Sequence, residues 1–310
     1  MAHFEIDSEI QLFIDSMMQI SNNLSTDTSI EHQRINSNAA CRHFFSAYPV
    51  GVESSDDVVT GRHGPIPIRR YRNTLAEIVA DGQIIFLHGG GFILGDLDSH
   101  DDICAEFCGK TGLDAISIDY RLAPEHKHPV HLDDVTDAFD ICWKPKSIVV
   151  GISAGATLAA ALSHRLKNAS RKPFGQVLVY PGLGGDLFDL GSYVTNAAAP
   201  LLTTADILYY RKMRCDNVET AIRDPEFYPL VANYFNGLPP TIAFSADIDP
   251  LRDDARLYIE RLSAVDVYAE CYNELGLTHD YLRARHVSDK AQDSFQHICQ
   301  SVTLLSTTTL

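Results

Sequence analysis

Two rhythms of apolar and polar positions alternate along this chain. Short, mostly apolar runs recur at Gln83–His88, Asp114–Asp119, Ile148–Val150, Gly175–Tyr180 and Pro240–Ser245. Their β-branched content suits strands buried on both faces. Asp266–Tyr272 predicts a last strand, and Asp56–Thr60 with Pro65–Tyr71 predicts a strand pair joined by a glycine-containing turn. Helical stretches fall between them. One starts at Ser99, with Asp101 and Asp102 in its first turn, and Leu132–Trp143 makes another. An Ala/Leu-rich run follows Gly155, and Thr203–Arg214 has an N-cap threonine. Asp249-Pro250 opens a helix running to Ser263, and Asp289–Leu304 closes the chain. Strands alternating with helices predict an α/β fold with a mainly parallel sheet and helices on both faces.

Two segments depart from the alternation. Residues 1–50 carry Ile10, Phe13, Ile14 and Met17 on one helical face, with a polar loop at Ser21–Ser29, and no sheet of their own. Such a segment must bury its apolar face on the main body. Residues 183–238 are largely loop-like apart from the Thr203 helix. The expected organisation is therefore an N-terminal cap segment at 1–50, core at 51–182, a cap insertion at 183–238 and core again at 239–310.

Chemistry concentrates at the ends of the strands. Ser147–His164 reads as strand, tight turn and helix, with Gly151 and Gly155 flanking Ser153. That is the context a nucleophile elbow requires, since the glycines leave room where strand and helix nearly collide. A small-residue turn with a chance serine would look the same in isolation. Gly89-Gly90-Gly91 follows the 83–88 strand and can turn its amides toward a ligand. A phosphate cradle would need GxxxxGK[ST] or GxGxxG there, and neither occurs. Asp249 and His279 also fall where strands end, and ligands of open α/β sheets bind at the carboxyl ends of strands.

Composition narrows the partners. The 310 residues are 45% hydrophobic and 21% charged, with a net charge of −16. So acidic a surface repels nucleic acid and anionic membranes. The seven cysteines are scattered with no CxxC pair, so neither a zinc site nor a disulfide framework is suggested. Cys104 and Cys108 read as small core residues. Reduced thiols in a cytoplasmic protein are the simplest reading. His126, His128 and His131 match no usual zinc spacing, and no metal is expected. The N-terminus has acidic residues where a signal peptide needs positive charge. Ser147–Ser163 is uncharged but falls short of a membrane span.

Taken in order, these motifs resemble the hormone-sensitive-lipase-like family of α/β-hydrolases, over roughly Arg69 to His279. His88-Gly89-Gly90-Gly91 is similar to its oxyanion-loop signature. Gly95-Asp96 through His100-Asp101, then DYRLAPEH at Asp119–His126, are similar to its next landmarks. Tyr180-Pro181-Gly182, Asp249 to Asp253 and Thr278-His279 complete the series. The resemblance implies ester hydrolysis by a triad of Ser153 (nucleophile), Asp249 and His279 (base). It implies oxyanion donors at Gly90, Gly91 and Ala154, a loop shaped by Gly89, and no cofactor. It further implies small, short-acyl ester substrates. Asp247, Asp253 and Asp254 are rival acids, and His286 and His88 rival bases. A non-catalytic ligand receptor and an amide hydrolase remain alternatives, and a homodimer is open but not demanded. Two departures stand out. The elbow reads GISAGA where GDSAGG is usual, and His279 is followed by Asp280-Tyr281 where Gly-Phe is usual.

Overall fold

In the computed structural model, which describes residues 4–23, 29–75, 82–184 and 191–307, the buried runs become one eight-stranded sheet. Two long strands, β1 (Val52–Gly61) and β2 (Gly64–Asn73), form an antiparallel hairpin at one edge. The parallel strands are β3 (Gly82–Leu87), β4 (Asp114–Ile118), β5 (Lys146–Ile152), β6 (Gly175–Val179), β7 (Thr241–Ile248) and β8 (Ala269–Thr278). Their order is β1-β2-β4-β3-β5-β6-β7-β8. All neighbours from β4 to β8 pair in parallel, and β2 meets β4 antiparallel.

Alternation along each strand divides the core into two layers. Ile148, Val150 and Ile152 of β5 join Ile84 and Phe86 on one face, against α3 (Asp101–Thr111), α10 (Asp289–Thr307) and α1 (Ser8–Asn23). Val149, Ile85 and Leu178 join the other face, against α4 (Val130–Cys142), α5 (Ala154–Leu166) and α9 (Arg252–Ser263). α5 carries Ala156, Ala159, Ala160 and Ala161, all fully buried, so its backbone can approach the sheet closely. Cys104 and Cys108 are buried in the first layer.

The N-terminal residues form α1 and α2 (Ile30–His43). Ile10, Phe13 and Ile14 are buried as the 3.6-residue rhythm requires, with Met17 packed beside them. α1 continues to Asn23, into the loop expected at Ser21–Ser29, and 24–28 lie outside the described residues. Between β6 and β7 lie α6 (Ser192–Thr195), α7 (Thr204–Arg214) and α8 (Val218–Ala221). Thr203 caps α7 in a reciprocal box with Asp206.

Several boundaries differ from the sequence expectation, three of them with a clear local cause. α3 begins at Asp101 rather than Ser99, because Ser99 is held in the preceding turn: its amide donates to Asp96 Oδ1 (2.9 Å) and its hydroxyl to the Asp96 carbonyl (2.7 Å). α9 begins at Arg252 rather than at Asp249-Pro250, because Asp249 Oδ1 accepts the Leu251 amide (2.8 Å) and closes a separate turn. The last strand is Ala269–Thr278 rather than 266–272. Asp266 has φ 59°, a turn conformation, and an edge strand with one partner needs no continuous apolar run.

Candidate active site

The elbow forms as the flanking glycines predict. A Cβ on Gly155 would lie 2.0 Å from the Leu87 carbonyl oxygen, so only glycine lets α5 start against β3. Ser153, between β5 and α5, takes φ 54° and ψ −118°, a costly conformation for a residue with a side chain. Its amide donates to the Val179 carbonyl (2.9 Å), and Thr157 anchors the same turn through the Gly182 carbonyl (2.7 Å). The strained turn is thus fastened to the end of β6.

The loops after β7 and β8 deliver the other two residues. His279 Nε2 is 2.9 Å from Ser153 Oγ, and His279 Nδ1 is 2.6 Å from Asp249 Oδ2. Asp249 is fully buried. Its second oxygen takes the Leu251 amide, and Asn196 Nδ2 donates to its carbonyl (3.1 Å) and to that of Asp247 (2.9 Å). Asn196 left no signal in the sequence, because it acts on backbone atoms far along the chain. Burial alone pulls the His279 imidazole down. The Asp249 carboxylate, by charge and hydrogen bond, and then Asp280 outweigh it, so the net shift is upward.

The rival residues are engaged elsewhere. Asp254 accepts the amides of Leu183 (2.6 Å) and Gly184 (2.7 Å) and the Tyr193 hydroxyl (2.9 Å). Asp253 accepts the Ser192 amide (2.9 Å), and Asp247 lies against Asn273 and Gly276. His286 is 2.7 Å from Glu106 and half exposed. His88 is fully buried, stacks on Tyr120 at 4.2 Å, and its Nδ1 is 2.8 Å from the Gly89 carbonyl. Burial pushes it down to about 4, so it braces the glycine loop as a neutral ring.

The glycine loop faces the serine. Gly90 has φ 122°, and a Cβ there would lie 2.3 Å from the Leu94 carbonyl oxygen. Among the described residues, the amides of Gly90, Gly91 and Ala154 donate to no protein acceptor. All three line a cavity of about 400 Å³ together with Gly89, Ser153 and His279. Tyr210 of α7 stands over Gly91, 2.7 Å from where its Cβ would be. Met17, Met18 and Asn36 from the N-terminal helices, and Leu202 and Ile207 from the 183–238 segment, complete the mostly apolar walls.

The histidine cluster has other contacts. His128 is 3.0 Å from Asp224, His131 is fully buried beside Arg214, and His126 is exposed. Among the described residues no group of three His, Cys, Asp or Glu side chains could hold a metal.

A model of the α/β-hydrolase fold matches residues 84–283. The chain is 30% identical to the carboxylic ester hydrolase LipN of Mycobacterium tuberculosis, over 89% of this chain and 77% of that protein. It is 29% identical to an ethyl acetate hydrolase of Pseudomonas putida, over 80% and 81%. Among solved structures it superposes on the ester hydrolase EH1AB1 from the metagenome of Lake Arreo with a TM-score of 0.88 at 26% identity. That match covers 96% of this chain and 98% of the other.

Proposed function

The chain belongs to the hormone-sensitive-lipase-like branch of the α/β-hydrolases, and from that premise we propose that it hydrolyses small, short-chain carboxylic esters through an acyl-enzyme on Ser153. It is a carboxylic ester hydrolase. The observation that carries the mechanism is the continuous relay Ser153–His279–Asp249, at 2.9 and 2.6 Å.

Ser153 Oγ attacks the ester carbonyl while His279 Nε2 takes its proton. Asp249 holds the tautomer with the proton on Nδ1 and stabilises the imidazolium. The carbonyl oxygen becomes an oxyanion, and the unengaged amides of Gly90, Gly91 and Ala154 hold it. Collapse expels the alcohol, which receives the proton from His279. A water molecule, deprotonated by the same imidazole, then attacks the acyl-serine and releases the acid.

We read residues 1–50 and 183–238 as a two-part cap, because Met17, Asn36, Leu202 and Tyr210 from these segments wall the cavity. A volume of about 400 Å³ suits a small ester better than a long acyl chain. No helix among the described residues is long and apolar enough to cross a membrane, which accords with a cytoplasmic location.

Ser153→Ala should lower turnover of a short-chain p-nitrophenyl ester by about 10⁴-fold or more. A serine-reactive phosphonate should label the wild-type protein at the Ser153 peptide. Substantial residual turnover, or labelling elsewhere, would overturn the mechanism. Across a series of acyl lengths activity should peak at the short end. A peak on long-chain triglyceride emulsions would overturn the substrate size.

A further inference from the structure

Asp280 stands where the family pattern has glycine, and its backbone shows why glycine suits the place. It takes φ 65° and ψ 13°, the left-handed region, at the start of the single 3-10 turn Tyr281–Ala284. A residue with a side chain costs free energy there. Something must hold it, and the partner is Arg283.

Arg283 Nε donates to Asp280 Oδ2 (2.9 Å), and the Arg283 amide donates to the Asp280 carbonyl (3.1 Å). The guanidinium is nine-tenths buried. Its Nη1 donates to the Ser99 carbonyl (2.9 Å), and its Nη2 reaches His100 Nε2 (3.5 Å). Ser99 in turn closes the turn at Asp96, whose other oxygen accepts from Asn38 of α2 (3.0 Å). One ion pair therefore links the residue after His279 to the segment that follows the glycine loop, and through it to the N-terminal helices. Asp280 and Arg283 both line the cavity.

Several neighbours of this pair are uncharged. Burial raises the Tyr180 hydroxyl, whose ring lies 4.7 Å from that of His279. It also raises the Tyr210 hydroxyl of α7 and the Cys41 thiol of α2. Burial pushes His100 well down, so it too is neutral. Beyond Asp249, the charged groups around the imidazole are Asp280 and Arg283, with Asp96 acting on Cys41, Arg285 acting on His100, and Arg211 and Arg214 of α7 lining the same cavity.

We propose that Asp280, through its ion pair with Arg283, is a positioning residue: it fixes the loop carrying His279 against the segment after the glycine loop and sets the charge balance at the imidazole. This rests on His279 being the general base. Without the Asp280 carboxylate, two effects act in the same direction. A negative charge near the imidazolium is lost, and a buried guanidinium is left without its counter-ion. Both disfavour protonated His279, so the enzyme should stay active to lower pH.

The test is the acid limb of kcat/KM on a neutral ester for wild type, Asp280→Asn, Arg283→Met and the double variant. The rate of phosphonate labelling of Ser153 against pH gives a second readout. Asp280→Asn should move the midpoint down by about one pH unit. Removing Arg283 as well should recover part of that shift, and Arg283→Met alone should move the midpoint up. A fold-only role would change rates without this order. An unchanged or raised midpoint in Asp280→Asn overturns the inference, and this variant decides even if those lacking Arg283 do not fold. A wild-type enzyme with no acid limb in either readout would instead overturn His279 as base.

Discussion

Ile152 occupies the elbow position where an aspartate is usual, and it is fully buried in the layer containing Val150 and Val179. Its methyl Cγ2 would contact a Cβ on Gly89 at 3.6 Å, so the side chain also backs the glycine loop. Here the chain has replaced a carboxylate by an apolar group that needs no partner. Ile152→Asp should therefore destabilise the protein by about 3 kcal/mol or more. Roughly 2 kcal/mol is lost burial and the rest is desolvation of the carboxylate. Ile152→Val, which keeps shape and polarity, should cost about 1 kcal/mol. Urea unfolding of the two variants checks the contrast. Equal stabilities would mean that the site still offers a carboxylate its hydrogen bonds.

Arg34 shows how one side chain fastens an element. From α2 it donates to the carbonyls of Ile93 (2.8 Å) and Ala123 (3.1 Å) and meets Glu125 with two nitrogens at 2.8 Å each. It thus ties α2 to the segments after the glycine loop and after β4. Glu125 is half exposed, so the ion pair itself contributes little, and the buried carbonyls matter more. Arg34→Met should cost about 1–2 kcal/mol in stability and raise KM more than it lowers kcat, because α2 carries cavity walls and no reacting group. Glu125→Gln should be milder. Steady-state kinetics on one short ester separates these outcomes, and an unchanged KM in Arg34→Met would sink the argument. The same element explains what could be read beforehand. Helix α1 was legible because three of its residues share one buried face. The elbow was legible because strand, glycines, serine and alanine-rich helix are contiguous. Arg34, Asn196 and Arg283 were not, because each acts on backbone or on residues dozens of positions away. Strand β8 was placed three residues early at its start and six early at its end, since its exposed edge carries Asn273, Glu274 and Leu275 in place of an apolar run.

Across the whole molecule, the buried histidines should decide how acid affects stability. Burial pushes His88 and His164 down to about 4, and His100 and His131 well below their ordinary value. Below about pH 6.5 the unfolded chain takes up protons at these four positions, and at His128, which burial also lowers, more readily than the folded chain, so acidification favours unfolding. Four groups oppose this: Asp119, pushed by burial up to about 6, Glu274, also raised by burial, His279 and Asp254. His279 is raised and gains from acid. Asp254, pushed by burial up to about 7, keeps its proton in the folded state while the unfolded chain loses it above about pH 4. Each group contributes at most about 1.4 kcal/mol per pH unit. Five against four leaves a net loss of at most roughly 1.4 kcal/mol per unit between pH 6.5 and 5. Relief of self-repulsion in a chain of net charge −16 acts the other way, but it is spread over exposed, screened charges. The urea midpoint should therefore fall only modestly from pH 7.5 to pH 5. Asp254→Asn removes one opposing group and should make that fall steeper, while raising stability at pH 7.5, where the buried carboxylate is most costly. A midpoint that rises on acidification even in Asp254→Asn would show that the buried imidazoles become charged in the folded state, and the packing of His88 under the glycine loop would then need a different electrostatic account.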